Sequence, residues 1–298
     1  MKIHKAKKSL GLKINNNFVR AKKALGQNFL KSEPALRKIV EAGEINPSDV
    51  ILEIGPGKGA LTEKLLEKNC KVIAVEKDRE LFEFLQNKFS SQISSGSLVL
   101  VHDDILKFEP STYSLETKTY KIIANIPYNI TGAILKKFLT ANHQPESMVL
   151  MVQNEVAKRI VARDNKESIL SISVKAYGEP KMVMKVPARY FSPAPKVDSA
   201  VIAITNISRK LFINNTQPEQ GSTLNNALNN AFNKDKGLEE RFWEIVKTGF
   251  AHKRKKLSGN LKGFFVKRGE QKESLLKKFG DKRAEDLNLG DWIELAKK

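Results

Sequence analysis

The sequence predicts a doubly wound α/β sheet with an antiparallel edge, followed by a small C-terminal helical domain. Three observations predict it. Short apolar runs recur every 20–30 residues with helical periodicity between them, the pattern of right-handed βαβ units. Two later runs are joined too briefly for a crossover, so they must pair antiparallel. Strand signals then cease after about Ile207, and only helical periodicity follows. A length of 298 residues also exceeds what one hydrophobic core usually serves, which suits one large and one small domain.

The elements follow in order. Pro34 can open a helix through ALRKIVEAGEI, and VILEIG (50–55) is a short apolar run ending in glycine, as a strand buried on both faces should be. ALTEKLLEK is helical, KVIAVE (71–76) a strand and RELFEFLQNKF a helix. LVLVH (98–102), YKIIAN (120–125) and MVLMVQ (148–153) repeat the strand theme. After NEVAKRIVA and a helix over 168–177, KMVMKV and SAVIAIT form the antiparallel edge around SPAPK. The expected organisation is a basic extension over 1–22, an α/β domain over 23–207 and a helical domain over 208–298, the last containing LEERFWEIVKTGF and EDLNLGDWIELAKK.

Charge narrows the partner. The chain carries 52 Lys+Arg against 33 Asp+Glu, a formal +19, which suits a polyanion such as nucleic acid. Residues 1–32 hold nine Lys/Arg and no acid, and residues 245–269 hold eight and no acid, leaving only +2 elsewhere. The excess is therefore two patches. One cysteine, Cys70, excludes an intramolecular disulfide, and no Cys/His spacing suits a zinc site, so no metal is expected. No apolar run approaches a membrane span and the start lacks a secretory apolar region. A cytoplasmic protein without membrane attachment is expected.

The chemistry gathers at strand ends. In ILEIGPGKGAL, Gly55, Gly57 and Gly59 let backbone approach a ligand at the switch-point crevice of such a sheet. The spacing is G-x-G-x-G, neither the dinucleotide fingerprint nor a P-loop. Glu76 ends the second strand 21 residues after Gly55, where a carboxylate accepts from both hydroxyls of an adenosine ribose. Together they indicate an adenosine cofactor without a pyrophosphate. Asp103 or Asp104, after the third strand, could accept from its adenine amine; spacing does not choose between them.

Asn125, Ile126, Pro127 and Tyr128 close the fourth strand in the same crevice. An exocyclic nucleobase amine is a poor nucleophile because its lone pair is delocalised into the ring. Two acceptors on its hydrogens free that pair. The Asn125 side-chain oxygen is one, and the Ile126 carbonyl is another, with no N–H on Pro127 to claim it. Tyr128 supplies an aromatic face for a base drawn from its stack.

GQNFL (26–30), EIGPGKGALTEKL, VEKD, NIPYNI, QNEVAKRIVA, SPAPKVDSAV, FAHKRKKLSGNL and RAEDLNLGDWIELA occur in this order over nearly the whole chain. In these strings the sequence resembles the ribosomal RNA small-subunit adenine N6,N6-dimethyltransferase family (KsgA type), itself similar in its catalytic part to the erythromycin-resistance methylases. The tail strings match the small-subunit enzymes better. The resemblance implies a Rossmann-like class I methyltransferase sheet and S-adenosyl-L-methionine as cofactor. It implies as target two adjacent adenosines in a hairpin near the 3′ end of small-subunit rRNA, with the small ribosomal subunit or its precursor as partner and a monomeric protein.

Carried to this chain, the resemblance implies that Gln27, Asn28 and Leu30 help close the cofactor pocket, with Gly55, Gly57, Glu76, Asp103 and Asn125 at the cofactor or reacting centre. It favours Asp103 over Asp104 and sets Phe191 opposite Tyr128 across the adenine. Lys22 and Lys23, with Lys253, Arg254, Lys255 and Lys256, are the expected RNA contacts. The leader before Lys22 and the polar stretch 208–236 lie outside the resemblance. The competing functions are a large-subunit resistance-type methylase and a non-catalytic ribosome-assembly factor on the same fold.

Overall fold

The computed structural model describes residues 20–162, 164–213, 224–270 and 273–297, without the side chains of Lys23 and of residues 224–236. Most of the basic extension and part of the polar stretch therefore lie outside the described residues.

The strands are β1 (Phe29–Leu30), β2 (Val50–Ile54), β3 (Lys71–Glu76), β4 (Leu98–His102), β5 (Tyr120–Asn125), β6 (Ser147–Gln153), β7 (Glu179–Val186), β8 (Phe191–Ser192) and β9 (Ser199–Thr205). Seven of them form one sheet in the order β4-β3-β2-β5-β6-β9-β7. The first five are parallel, while β9 runs antiparallel to both β6 and β7. This is the doubly wound sheet with an antiparallel edge. The order reverses between β2 and β5, so the crevice at their carboxyl ends is the switch point where such sheets bind ligands.

Helices α1 (Glu33–Ala42), α2 (Ala60–Leu66), α3 (Arg79–Lys88), α4 (Ser90–Ser94), α5 (Thr131–Leu139), α6 (Asn154–Val161) and α7 (Ile169–Lys175) connect the strands. Local chemistry sets their starts. Asp78 caps α3 by accepting from the Glu80 N–H, and Ser168 with Ser171 forms a capping box on α7, each satisfying N–H groups that the helix leaves open. The central strands are apolar on both faces because helices cover both, giving two apolar clusters.

After β9 the described elements are helical: α8 (Leu224–Gly249), α9 (Leu257–Lys267), α10 (Glu273–Phe279) and α11 (Leu289–Ala296). Helix α8 begins well before LEERFWEIVKTGF, and Leu224, Ala227, Leu228, Ala231 and Phe232 keep the helical spacing through its Asn-rich first turns. One apolar cluster runs from the sheet into these helices through Tyr177, Phe212 and Phe242. Glu239 accepts from the Tyr177 hydroxyl, and Trp243 Nε1 donates to that hydroxyl at 3.0 Å. The C-terminal helices are thus packed onto the sheet rather than tethered to it.

Two strands have no counterpart in the periodicity. Phe29 and Leu30 pair antiparallel with Ser192 and Phe191. Two-residue strands show no alternation from which a sequence reading could begin.

Candidate active site

The turn after β2 is shaped by backbone conformation. Gly55, Gly57 and Gly59 all have positive φ, which only glycine adopts at little cost. At two of them space is also taken. A Cβ on Gly57 would lie 3.0 Å from the Phe29 ring, and one on Gly59 would lie 2.5 Å from Phe89. The turn borders a cavity of about 530 Å³ at the switch point, lined by Gln27, Asn28, Glu53, Gly55, Gly57, Glu76, Asp103 and the Asn125–Tyr128 string, among others. Its volume is in the range of small-molecule and cofactor sites.

Glu76 is 5% exposed, and both its oxygens are aimed by backbone. Gly57 N–H donates to Oε2 at 3.1 Å and Asp78 N–H to Oε1 at 2.8 Å. Burial pushes this carboxyl up, against the pull of those two N–H groups. Each oxygen keeps a lone pair for a further donor.

Asp103 and Asp104 are separated by their partners. Asp104 Oδ2 takes Lys77 Nζ at 2.8 Å and its Oδ1 takes Leu106 N–H at 3.0 Å, and the Lys77 ammonium holds this carboxyl below the usual range. Asp103 spends Oδ1 on the Asp104 N–H. Both residues border the cavity, and Asp103 is the less engaged acceptor.

At the end of β5, Asn125 Nδ2 donates to the Asn28 carbonyl at 3.2 Å. The amide is held by its nitrogen, which leaves Oδ1 as the acceptor. Ile126 is buried, and Pro127 brings no N–H. Tyr128 opens a short 3₁₀ turn, and its hydroxyl shares a 2.6 Å hydrogen bond with Ser199 Oγ of β9. That bond fixes the ring at the cavity wall. Burial raises the Tyr128 phenol.

The segment from Lys22 to Lys31 closes one side. Asn28 Nδ2 donates to the Gly26 carbonyl, and Leu30 is buried opposite Phe191 in the β1–β8 pair. Gln27 borders the cavity, but both ends of its amide are spent on protein: Oε1 accepts from Lys22 N–H at 2.8 Å and Nε2 donates to Asp78 Oδ2 at 2.9 Å.

Two expectations change. Lys22 does not stand free for phosphate, because its Nζ pairs with Asp78 at 2.8 Å and Glu80 at 3.1 Å. Phe191 does not face Tyr128 across open space. It is 2% exposed, lies within an apolar cluster and is absent from the cavity lining. An aromatic ring with apolar neighbours on offer is driven into them, so it backs the closing strand. Lys23 lies in a 3₁₀ turn, Lys23–Leu25. Lys253, Arg254, Lys255 and Lys256 are exposed in the turn between α8 and α9, away from the cavity lining, with Lys256 paired to Asp281 at 2.8 Å.

Three residues escaped the sequence reading. Glu53 sits inside the apolar run of β2, 1% exposed, with Oε2 buried and unpartnered. Burial foremost, with Glu76 adding like charge, pushes its carboxyl to about 8. Asp78 reads from sequence as a simple helix cap, and Ser199 as an ordinary strand residue. A lone acid in an otherwise apolar strand was the signal available for Glu53.

Known proteins decide what this arrangement belongs to. A sequence model of the family described as ribosomal RNA adenine dimethylase matches residues 18–216. This chain is a ribosomal RNA adenine dimethylase family member. Among relatives of this dimethylase, the ribosomal RNA small subunit methyltransferase A of Dehalococcoides mccartyi strain CBDB1 is 39% identical over 281 residues, 93% of this chain and 88% of the relative. The protein of the same name from Mycoplasmopsis pulmonis is 38% identical, covering 93% of this chain and 98% of its own. The crystal structure of the 23S rRNA methyltransferase ErmE superposes with a TM-score of 0.66 at 25% identity, over 90% of this dimethylase and 98% of that chain. A dimethyladenosine transferase from Plasmodium falciparum shares the fold with a TM-score of 0.67 at 24% identity, over 90% and 95%. The dimethylase is an S-adenosylmethionine-dependent enzyme acting on ribosomal RNA. None of its described helices is long and apolar enough to cross a membrane.

Proposed function

We propose that this chain methylates N6 of two adjacent adenosines in a hairpin near the 3′ end of small-subunit rRNA, twice each, on the small ribosomal subunit or its precursor. The observation that carries the reading is the Asn125 amide, held by Asn28 so that its oxygen is the acceptor left at the cavity. The small-subunit target is supported by the names of relatives at 35–39% identity, against 25% for the 23S enzyme.

The cavity suits S-adenosylmethionine on three counts. At Gly55, on the cavity wall, the room that a Cβ would fill is open, the nearest atom being Pro127 Cδ at 4.0 Å. Glu76 presents two oriented oxygens, suited to the paired hydroxyls of a ribose. Glu53 contributes a buried carboxyl with one unpartnered oxygen to a lining that also holds Glu76 and Asp103, fitting a ligand that brings polar hydrogens. In this reading Gly55 and Gly57 allow close approach, Glu76 holds the ribose and Asp103 accepts from the cofactor's adenine amine. Gln27, Asn28 and Leu30 close the pocket.

When bound, S-adenosylmethionine would supply the sulfonium methyl group that is transferred. In the first transfer Asn125 Oδ1 and the Ile126 carbonyl take the two hydrogens of the target amine and draw its lone pair out of the ring; in the second, one of the two acceptors takes the single hydrogen that remains. The Tyr128 ring, fixed by Ser199, supports the extruded base, and buried Phe191 stiffens the closing strand behind it. Positioning supplies most of the rate. On taking the methyl the nitrogen becomes cationic and strongly acidic, and it loses its proton to solvent, so the site needs no imidazole or amine base.

In the proposed division of labour the 23–207 unit carries the chemistry and 208–298 docks RNA. Lys253, Arg254, Lys255 and Lys256 are the phosphate contacts, joined by Lys23. Lys22 serves the closing segment instead. The protein works as a cytoplasmic monomer. Neutralising the four residues of the α8–α9 turn and titrating subunit binding against salt tests the docking assignment.

A further inference from the structure

We infer that Asp78 is a latch that holds the Lys22–Leu30 segment shut over the cavity, so that cofactor retention depends on the Lys22–Asp78 ion pair. The inference rests on the cavity being the cofactor site. Asp78 is 3% exposed, and one carboxylate serves three partners. Oδ1 accepts from Lys22 Nζ at 2.8 Å and from Glu80 N–H at 3.0 Å, while Oδ2 accepts from Gln27 Nε2 at 2.9 Å. Its own N–H donates to Glu76 Oε1. The residue that aims the carboxylate of the site therefore also holds the start of the segment that covers it.

The segment is pinned at two further points: by Asn125 on the Asn28 carbonyl and by the β1–β8 pairing. The Asp78 end rests on an ion pair, and midway along the segment the Phe29 ring lies 5.3 Å from the Lys58 ammonium. Burial by itself would push the Asp78 carboxyl up, but the Lys22 ammonium and the Gln27 amide outweigh it and hold the group ionised. Gln27 Oε1 in turn accepts from Lys22 N–H, closing a ring of bonds through Lys22, Gln27 and Asp78. A helix cap needs one acceptor; this carboxylate engages twice more, both times with the closing segment. Asp78 is a positioning residue, acting through Lys22, Gln27 and Glu76.

The test compares wild type with Lys22→Met, Lys22→Arg and Asp78→Asn, the last retaining a good cap. Calorimetry gives the dissociation constant of S-adenosylmethionine, and limited trypsin gives the cleavage rate of the Lys23–Ala24 bond, which every variant retains. Lys22→Met and Asp78→Asn each weaken cofactor binding about three- to tenfold, and raise KM for the cofactor more than they lower kcat. Cleavage accelerates in the same two variants, and Lys22→Arg restores both readouts. The Lys22–Asp78 pair is lost in both variants, and the exposed Lys22–Glu80 contact that Lys22→Met also loses contributes little, so the double variant is close to the worse single one. Wild-type affinity and cleavage in Lys22→Met and Asp78→Asn, while Glu76→Ala loses the cofactor, would overturn the latch alone. Cofactor binding that survives Glu76→Ala would overturn the cavity assignment and the latch with it.

Discussion

Asn125 Nδ2 donates to the carbonyl of Asn28 across 3.2 Å and 97 residues of sequence. Two motifs far apart in the sequence thereby become one wall. The bond uses one N–H of the amide and leaves its oxygen free to accept, so the closing segment and the proposed reacting centre share one contact.

Replacing that amide separates binding from chemistry. Asn125→Ala removes one of two acceptors on the target amine and should lower methyl transfer by about 10²- to 10³-fold, with rRNA binding unchanged in a filter assay. Glu76→Ala should also keep rRNA binding but lose the cofactor. Undiminished methylation in both variants would contradict the assigned roles.

Glu53 gives a pH signature. Its carboxyl lies at about 8 in the folded protein against 4.5 ordinarily. The folded state holds this proton more tightly, so the contribution is fully present below pH 4.5 and is lost as pH rises through about 8. The unfolding free energy of wild type should fall over that window relative to Glu53→Gln, by several kcal/mol at most. Parallel pH profiles for the two proteins would show that Glu53 titrates normally.

The turn after α8 should carry electrostatic binding. Lys253, Arg254 and Lys255 are exposed, and Lys256 has one exposed partner, Asp281. Neutralising all four should weaken subunit binding and flatten the slope of log K against log salt by about 2–4, while cofactor affinity stays at the wild-type value. An unchanged slope would remove these residues from the interface.

Gly59 tests the cradle by stability. Alanine there meets Phe89 at 2.5 Å in a backbone with φ +78°, whereas at Gly269, with φ +65°, nothing lies within 4 Å of the new Cβ. Urea unfolding should show Gly59→Ala costing about 2–4 kcal/mol and Gly269→Ala about 1–2 kcal/mol.

The sheet was legible because its strands are continuous apolar runs: KVIAVE, YKIIAN and SAVIAIT coincide with the largely buried β3, β5 and β9, and LVLVH with the half-buried edge strand β4. The crevice was legible because glycines, Glu76 and NIPY fall at strand ends. Pairings set only in three dimensions stayed hidden. The β1–β8 pair is too short for a period, and the acceptor roles of Asp78 depend on a segment some 50 residues earlier. Phe191 shows the reverse: its motif points to the site, while packing draws the ring into the core.

The central claim is N6,N6-dimethylation of adenosine in small-subunit rRNA. It is tested most directly by incubating the protein with labelled S-adenosylmethionine and unmethylated small or large ribosomal subunits, then mapping the modified base. Label is expected only in the small subunit, as N6,N6-dimethyladenosine at two adjacent positions near the rRNA 3′ end. Label in large-subunit rRNA, or none in either, would contradict it.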